Sequence, residues 1–289
     1  GSSGRRSGTA GGVQLRLGSL GGGRDGSESA GVRHGRATPS TLALLAEVES
    51  GAGSELTYGA LEEMVARAAA GLQAIGVGRG TAVGLYLPLV IENAVALLAC
   101  TKLGAIAVPL FSGFGAEAMQ QRLGDAEASV LITADGAIRR GRPVGMKAIA
   151  DQASARLPAL RQMVVVRCAG IEVPMTDGRD LRWDDLIGGD RPRVETAIMS
   201  PEDPLLLLYT SGTTGRPKGT IHGHAGLPIK AGQDWAVGMD VQAGDRLLWV
   251  TDMGWGMGPL LALRGLTLGG ASAPRAAPPA PPAPRPRPP

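Results

Sequence analysis

The chain has 289 residues, of which 44% are hydrophobic, enough for one large or two medium domains with a substantial core. Its formal charge is +3, yet residues 37–269 hold 20 basic and 24 acidic residues, because the excess of arginine lies in the two ends. This distribution argues against a basic, nucleic-acid-binding face on the folded part.

The first predicted elements follow a stretch without apolar periodicity. Residues 1–36 are rich in glycine, serine and arginine, and we expect them to be disordered. From Thr57 apolar residues recur at helical spacing, and Gly76 ends this first predicted helix. The run TAVGLYL, residues 81–87, predicts a buried strand, and residues 91–104 predict a second helix.

The alternation of strands and helices continues along the chain. Further strands are predicted at AIAVPL (105–110), SVLIT (129–133), MVVVR (163–167), LLLLY (205–209) and RLLWV (246–250), and a helix at GAEAMQQRLGDA (115–126). Continuous apolar strands between amphipathic helices indicate a parallel sheet that is covered on both faces. The sequence therefore predicts an α/β fold for residues 37–269.

The last segment, residues 270–289, contains only Gly, Ala, Ser, Pro and Arg, with nine of the 21 prolines. Because proline lacks the N–H donor, we expect this segment to stay outside any sheet, extended and solvated.

Cysteine and histidine usage bears on metal sites and compartment. Cys100 and Cys168 are the only cysteines and follow apolar patterns, so we expect two buried free thiols in a reducing, cytoplasmic environment. His222 and His224 could bind a metal only if both lay on one strand face. With no third His or Cys nearby, a structural or pocket-lining role is favoured, and no metal site is predicted. No apolar run approaches the ~18 residues of a membrane span.

The loop TSGTTGRPKG, residues 210–219, follows the predicted strand LLLLY. In open α/β sheets, ligands bind where such strands end. Its glycines allow close approach of backbone N–H groups, its hydroxyls donate hydrogen bonds, and Lys218 adds a compact positive charge, a combination that suits a polyphosphate. The predicted phosphate-binding residues are Thr210, Ser211, Gly212, Thr213, Thr214, Gly215 and Lys218.

This loop has two alternative interpretations. It is not a Walker A motif, because Pro217 precedes Lys218 and Gly219 follows it. An ordinary surface loop of turn-forming residues is the alternative, and the restricted composition directly after an apolar strand favours the phosphate site over it.

The segment YTSGTTGRPKG resembles the phosphate-binding signature of the adenylate-forming (AMP-binding) enzymes. The resemblance covers about residues 55–269 and extends the fold prediction to the layered parallel-sheet subdomains of that family. GDRLLWVTDMGWGMGP is similar to the segment that borders the acyl pocket and CoA tunnel of acetyl-CoA synthetase-like members. TDMGW and FSGFG point towards short-chain acyl-CoA synthetases.

The resemblance implies ATP, Mg²⁺, CoA and a short carboxylate as cofactors and substrates. It gives Lys218 the catalytic task of neutralising phosphate charge, and it places Asp252, Trp255 and Gly256 at the acyl and CoA pocket. Judged without the resemblance, Asp252 is as readily a turn residue after a strand, and Trp255 is more readily a core residue.

The family pattern continues beyond this sequence, with a Glu that helps to bind Mg²⁺, an Asp for the ribose and a C-terminal domain that carries the adenylating lysine. We therefore expect an incomplete adenylation domain that lacks full activity and self-associates through its incomplete sheet. The alternative is a non-catalytic nucleotide- or protein-binding product of a disrupted synthetase gene. Of the other lysines, Lys102 is expected to end a core helix and Lys147 to lie in a mid-chain loop.

Overall fold

The computed structural model describes residues 38–47, 53–139, 141–210, 217–242 and 244–275. The disorder predicted for residues 1–36 lies outside these ranges, as does the segment from residue 276 onward.

Strands and helices are interspersed through the described part. The strands are β1 (Leu42–Glu47), β2 (Gly53–Thr57), β3 (Ala82–Tyr86), β4 (Ile106–Pro109), β5 (Val130–Ala134), β6 (Ala137–Arg139), β7 (Arg142–Val144), β8 (Gln162–Val166), β9 (Asp180–Arg182), β10 (Pro204–Thr210), β11 (Lys218–Gly223), β12 (Arg246–Val250) and β13 (Ala271–Arg275). The helices are α1 (Tyr58–Ala74), α2 (Ile91–Leu103), α3 (Ala116–Asp125), α4 (Met146–Ser154), α5 (Trp183–Ile187), α6 (Gly226–Gly238) and α7 (Met257–Leu268).

The larger sheet has seven strands in the order β11-β10-β4-β3-β5-β8-β9. Neighbouring strands in this sheet are parallel except for β10 and β11, which are antiparallel. Every residue of β3 and β5 is buried, so both faces of these central strands are covered. The predicted α/β fold with a buried parallel sheet is therefore confirmed, and continuous apolar runs are what such doubly covered strands require.

The predicted ends of the first two helices are also confirmed. The hydroxyl of Thr57 accepts a hydrogen bond from the Ala60 N–H at the start of α1. Gly76, with a φ of 91°, lies just past the end of that helix. Gly104 ends α2 in the left-handed conformation, which glycine adopts without steric cost.

The second sheet has four strands in the order β12-β13-β1-β2, and it corrects the prediction for the proline-rich segment. Residues 271–275 were expected to stay outside any sheet, but they form β13, which pairs in parallel with β12 and with β1. One proline, Pro274, removes only one N–H donor from this strand. Ala271 and Ser272 are buried, and the Ser272 hydroxyl donates to the Leu261 carbonyl oxygen of α7 at 2.8 Å. Small side chains thus let this strand pack beneath a helix. Because it has no apolar run, its sequence does not predict a strand.

Both cysteines are free thiols, as expected. Cys100 is buried inside α2, whereas Cys168 is only partly buried. Burial raises the pKa of the Cys100 thiol to about 12, so this side chain stays protonated and unreactive near neutral pH. Among the residues that the structure describes, no helix combines the length and apolar character that a membrane span needs.

Lys147 does not lie in a loop, contrary to expectation, but in α4 with its side chain fully buried. Its ammonium nitrogen lies 2.7 Å from Oδ1 of Asp151 and 2.9 Å from Oδ2 of Asp180. Arg179 pairs with the same two carboxylates. The helix was missed because glycines and a proline precede it, and the burial of a lysine depends on acidic partners that come from elsewhere in the fold.

The carboxylate of Asp180 shows how tightly this network is bound. Burial alone would raise the pKa of Asp180, but hydrogen bonds from Arg179, the Thr176 N–H and Lys147 outweigh that effect and lower the pKa to about 2. Because the pKa of an unfolded Asp is about 3.9, the charged form stabilises the fold above that pH. This contribution is lost as the pH falls towards 2.

We predict that Lys147→Met lowers the free energy of unfolding by about 3 kcal/mol, because removing one partner leaves a buried carboxylate less well compensated. The figure is at the low end for a broken buried pair, since Arg179 still contacts Asp180. Urea unfolding of the purified chain measures it.

The matched control is Lys230→Met, since Lys230 forms the same i,i+4 pair with Asp234 on an exposed helix surface. This change should alter stability by less than about 1 kcal/mol. Equal losses in the two variants would contradict a special role for the buried network.

Candidate functional site

The strand that leads into the predicted phosphate loop is built as the sequence indicates. Leu205, Leu206 and Leu208 of β10 are buried, and the strand ends at the exposed residue Thr210. It lies between β4 and β11 in the larger sheet. The loop therefore leaves the carboxyl end of a buried strand, the position where ligands bind in open α/β sheets.

Lys218 begins β11, which returns antiparallel to β10, and it pairs directly with Thr210. Both residues are exposed, so one hydroxyl and one ammonium group flank the mouth of the loop. The intervening predicted ligands, Ser211, Gly212, Thr213, Thr214 and Gly215, lie outside the described residues. The positions of Thr210 and Lys218 suit the binding of an anionic group at the end of this strand pair. These two residues and the five in the loop remain predicted phosphate ligands.

Asp252, predicted to line the acyl and CoA pocket, is 8% exposed and holds two segments together. Its carboxylate accepts hydrogen bonds from the Gly254 N–H at 2.8 Å, and from the N–H and hydroxyl of Ser112. Arg139 in turn donates to the Ser112 hydroxyl oxygen at 2.8 Å. Burial raises the pKa of Asp252, although these hydrogen bonds act in the opposite direction. Asp252 thus stabilises a turn and also fixes the loop after β4.

Trp255, the second predicted pocket residue, lies on the surface rather than in the core, with 61% of its area exposed. Its ring contacts Phe111 edge to face at a centroid distance of 6.0 Å, and Phe111 contacts Phe114 in the same way at 5.5 Å. The interpretation as a core residue is therefore wrong. The indole is supported from one side and open on the other, which is an arrangement suited to contact with a ligand.

One glycine brings this segment against the loop after β4, and a second lies beside β10. A Cβ atom on Gly254 would lie 2.1 Å from the Phe111 nitrogen, so no other residue fits there without displacing the backbone. A Cβ on Gly256, the third predicted pocket residue, would lie 3.8 Å from Leu208 of β10. The segments around residues 111–115 and 251–256, which are far apart in sequence, therefore meet beside the strand that leads into the predicted phosphate loop.

Sequence reasoning missed the partners of Asp252. Ser112 lies in FSGFG, a segment whose one sequence signal is its resemblance to short-chain acyl-CoA synthetases. Arg139 gave no signal at all, since its role depends on a contact with the loop after β4. The position of Ser112 between Phe111 and Phe114 is the one local sequence feature that indicates a loop held by side-chain contacts.

The histidines after the loop are placed differently from each other. His222 is half-buried on β11, whereas His224 lies beyond the end of that strand and is buried. Burial lowers the pKa of both imidazoles. Within the described ranges, no group of three or more His, Cys, Asp or Glu side chains is arranged to hold a metal ion.

Comparison with known proteins places this geometry in a family context. Residues 32–285 match the family described as AMP-binding enzyme. The acetyl-coenzyme A synthetase of Methanothrix thermoacetophila is 41% identical over 218 residues, which are 75% of this chain and 33% of that protein. The acetyl-coenzyme A synthetase of Streptomyces coelicolor is 39% identical over 233 residues, which are 80% of this chain and 36% of that protein.

A solved structure agrees with these relatives. Acetoacetyl-CoA synthetase from Streptomyces lividans superposes with a TM-score of 0.76 at 32% identity, over 82% of this chain and 36% of that one. The chain thus spans about a third of the length of these relatives. Since the family match extends over most of the sequence and the fold agrees, the chain belongs to the AMP-binding enzyme family.

Proposed function

We propose that this chain carries the phosphate-binding part of an AMP-forming acyl-CoA synthetase, with ATP, a short carboxylate and CoA as substrates. The observation that carries the proposal is the pairing of Thr210 with Lys218 at the carboxyl end of a buried strand. The names of the relatives, acetyl-coenzyme A synthetase and acetoacetyl-CoA synthetase, support a short acyl group and CoA.

The proposed reaction has two steps. A carboxylate oxygen attacks the α-phosphorus of ATP, the bond to pyrophosphate breaks, and an acyl-adenylate forms. The CoA thiol, losing its proton, then attacks the acyl carbon and releases AMP. Charge builds on the leaving pyrophosphate in the first step, where Lys218 and the loop donors would stabilise it. Mg²⁺ belongs to the proposal as the ion that accompanies nucleotide phosphates and neutralises their charge.

The acyl and CoA side of the site is assigned to Asp252, Trp255 and Gly256. Trp255 offers an open aromatic face that Phe111 supports. Asp252 acts through positioning, because protein donors already occupy its carboxylate. Gly256 lies beside β10, where an added Cβ would be 3.8 Å from the Leu208 side chain.

We predict that Lys218→Ala weakens ATP binding by about 10- to 100-fold, the range expected when a hydrogen bond to a charged group is lost. Isothermal titration of the purified chain with ATP and Mg²⁺ measures this. Circular dichroism should be unchanged, because the exposed Lys218 packs little apolar area.

Lys230→Ala is the control, since Lys230 is also exposed but pairs with Asp234 on α6. It should bind ATP as the parent does. ATP affinity that Lys218→Ala leaves intact would refute the phosphate-binding role.

We also predict that the chain by itself forms no detectable acyl-CoA from acetate, propionate or butyrate. It spans about a third of the length of its relatives, and each donor absent from a transition state typically costs about 10²–10³ in rate. AMP release, coupled to mass detection of the thioester, is the assay. Turnover by the pure chain that disappears in Lys218→Ala would show that this segment is active alone.

Self-association is part of the proposal, because β12 is an edge strand of the second sheet in the described part and exposes Leu248 and Val250. Ile229 and Val237 of α6 are exposed as well. Exposed apolar edges favour intermolecular strand pairing. Sedimentation velocity across a concentration series should show oligomers that Leu248→Lys reduces. A parent chain that stays monomeric throughout would contradict this prediction.

A further inference from the structure

Tyr209 is the residue that immediately precedes the mouth of the candidate phosphate site. Its hydroxyl donates a hydrogen bond of 2.6 Å to Oδ2 of Asp125, the last residue of α3. This contact joins two elements that are 84 residues apart in sequence. It ties the end of β10 to a helix that packs beside the sheet, one residue before Thr210.

The ring of Tyr209 is held by neighbours as well. On β11, an added Cβ at Gly219 would lie only 3.3 Å from the Tyr209 ring, so the two strands pack closely at this point. The guanidinium carbon of Arg122 lies 6.0 Å from the Tyr209 ring centre and 4.2 Å from that of Phe114. Arg122 is itself anchored by a hydrogen bond of 2.8 Å to the Ala118 carbonyl oxygen.

These contacts surround the phenol ring, and its hydroxyl stays protonated. Burial and then the hydrogen bond to Asp125 raise the pKa of Tyr209, so the hydroxyl remains a donor throughout the neutral range. Asp125 is exposed and Tyr209 is half-buried, so this hydrogen bond lies near the surface. A bond so placed contributes modestly to global stability, yet it acts directly on the strand end that precedes Thr210.

We propose that Tyr209 and Asp125 are positioning residues for the phosphate site: their hydrogen bond fixes the strand end so that the hairpin donors are held in place before the nucleotide arrives. The inference rests on the proposed function and adds two residues to it. Preorganisation of this kind improves binding because less conformational entropy is lost when the ligand arrives. Neither residue touches the phosphates in this proposal, and each acts through Thr210 and the paired β11.

The test is a double-mutant cycle on ATP and on pyrophosphate binding, made with Tyr209→Phe, Asp125→Ala and the two combined. Each single variant should weaken both ligands by about two- to tenfold, the range that one hydrogen bond spans. The double variant should be no weaker than the weaker single one, because both changes remove the same contact. Asp125→Asn keeps an acceptor oxygen for the phenol and should restore nearly the parent affinity.

Tyr58→Phe is the matched control. The Tyr58 hydroxyl donates to the Gly270 carbonyl oxygen at 2.8 Å, at the junction of α1 with the second sheet. This variant should lower stability in urea but leave ATP affinity unchanged. Tyr209→Phe should weaken ATP binding with only a small loss of stability. A purely structural role for Tyr209 would give the Tyr58 pattern instead and would overturn the inference.

The remaining outcomes separate this inference from the proposed function. If Lys218→Ala loses ATP while Tyr209→Phe and Asp125→Ala bind as the parent does, the positioning role is wrong and the proposed function stands. Fully additive losses of ATP affinity in the double variant would also overturn the inference, because they would show that Tyr209 and Asp125 do not act through one shared contact. A parent chain that binds neither ATP nor pyrophosphate would overturn the proposed function, and this inference with it.

Discussion

The close approach of Gly254 to Phe111 is the constraint on which the candidate site depends. With a Cβ only 2.1 Å from the Phe111 nitrogen, any other residue would push residues 251–256 away from the loop after β4. The hydrogen bonds from Ser112 to Asp252 need the same short separation. One glycine thus allows a buried carboxylate to join the two segments, and the indole of Trp255 contacts the Phe111 ring edge to face as a result.

The proposed phosphate side of the site depends on a different constraint, the antiparallel return of β11 at the edge of an otherwise parallel sheet. In a parallel arrangement the loop would lead into a crossover helix. The hairpin instead keeps both ends of the loop at one edge, with Thr210 opposite Lys218. Strand pairing, rather than a helix terminus, therefore positions the Thr210 hydroxyl and the Lys218 ammonium group. This arrangement differs from that of a Walker A loop.

Most of the strands that the sequence predicts have both faces buried. RLLWV is an exception: it was expected in a doubly covered sheet, but it forms β12, which is largely exposed. β3, β5, β8 and β10 are runs of apolar residues, and burial on both sides explains such runs directly. β11 escaped prediction because its residues, KGTIHG, are largely exposed at the sheet edge. β13 escaped because Ala and Ser carry little apolar signal. In the site, the composition of the loop pointed to Thr210 and Lys218. No local pattern could reveal that Ser112 and Arg139 support Asp252, since those contacts join distant parts of the chain.

The parallel pairing of β1 with β13 bears on the order in which the chain assembles. β1 ends at Glu47, and its partner Arg275 is made more than two hundred residues later. All strands of the larger sheet, by contrast, lie between Ala82 and Gly223. Closing a long loop costs more conformational entropy than closing a short one. During synthesis the larger sheet can therefore be completed first. The β1–β2 pair can join the second sheet only after β13, the strand that lies between β1 and β12, has been made.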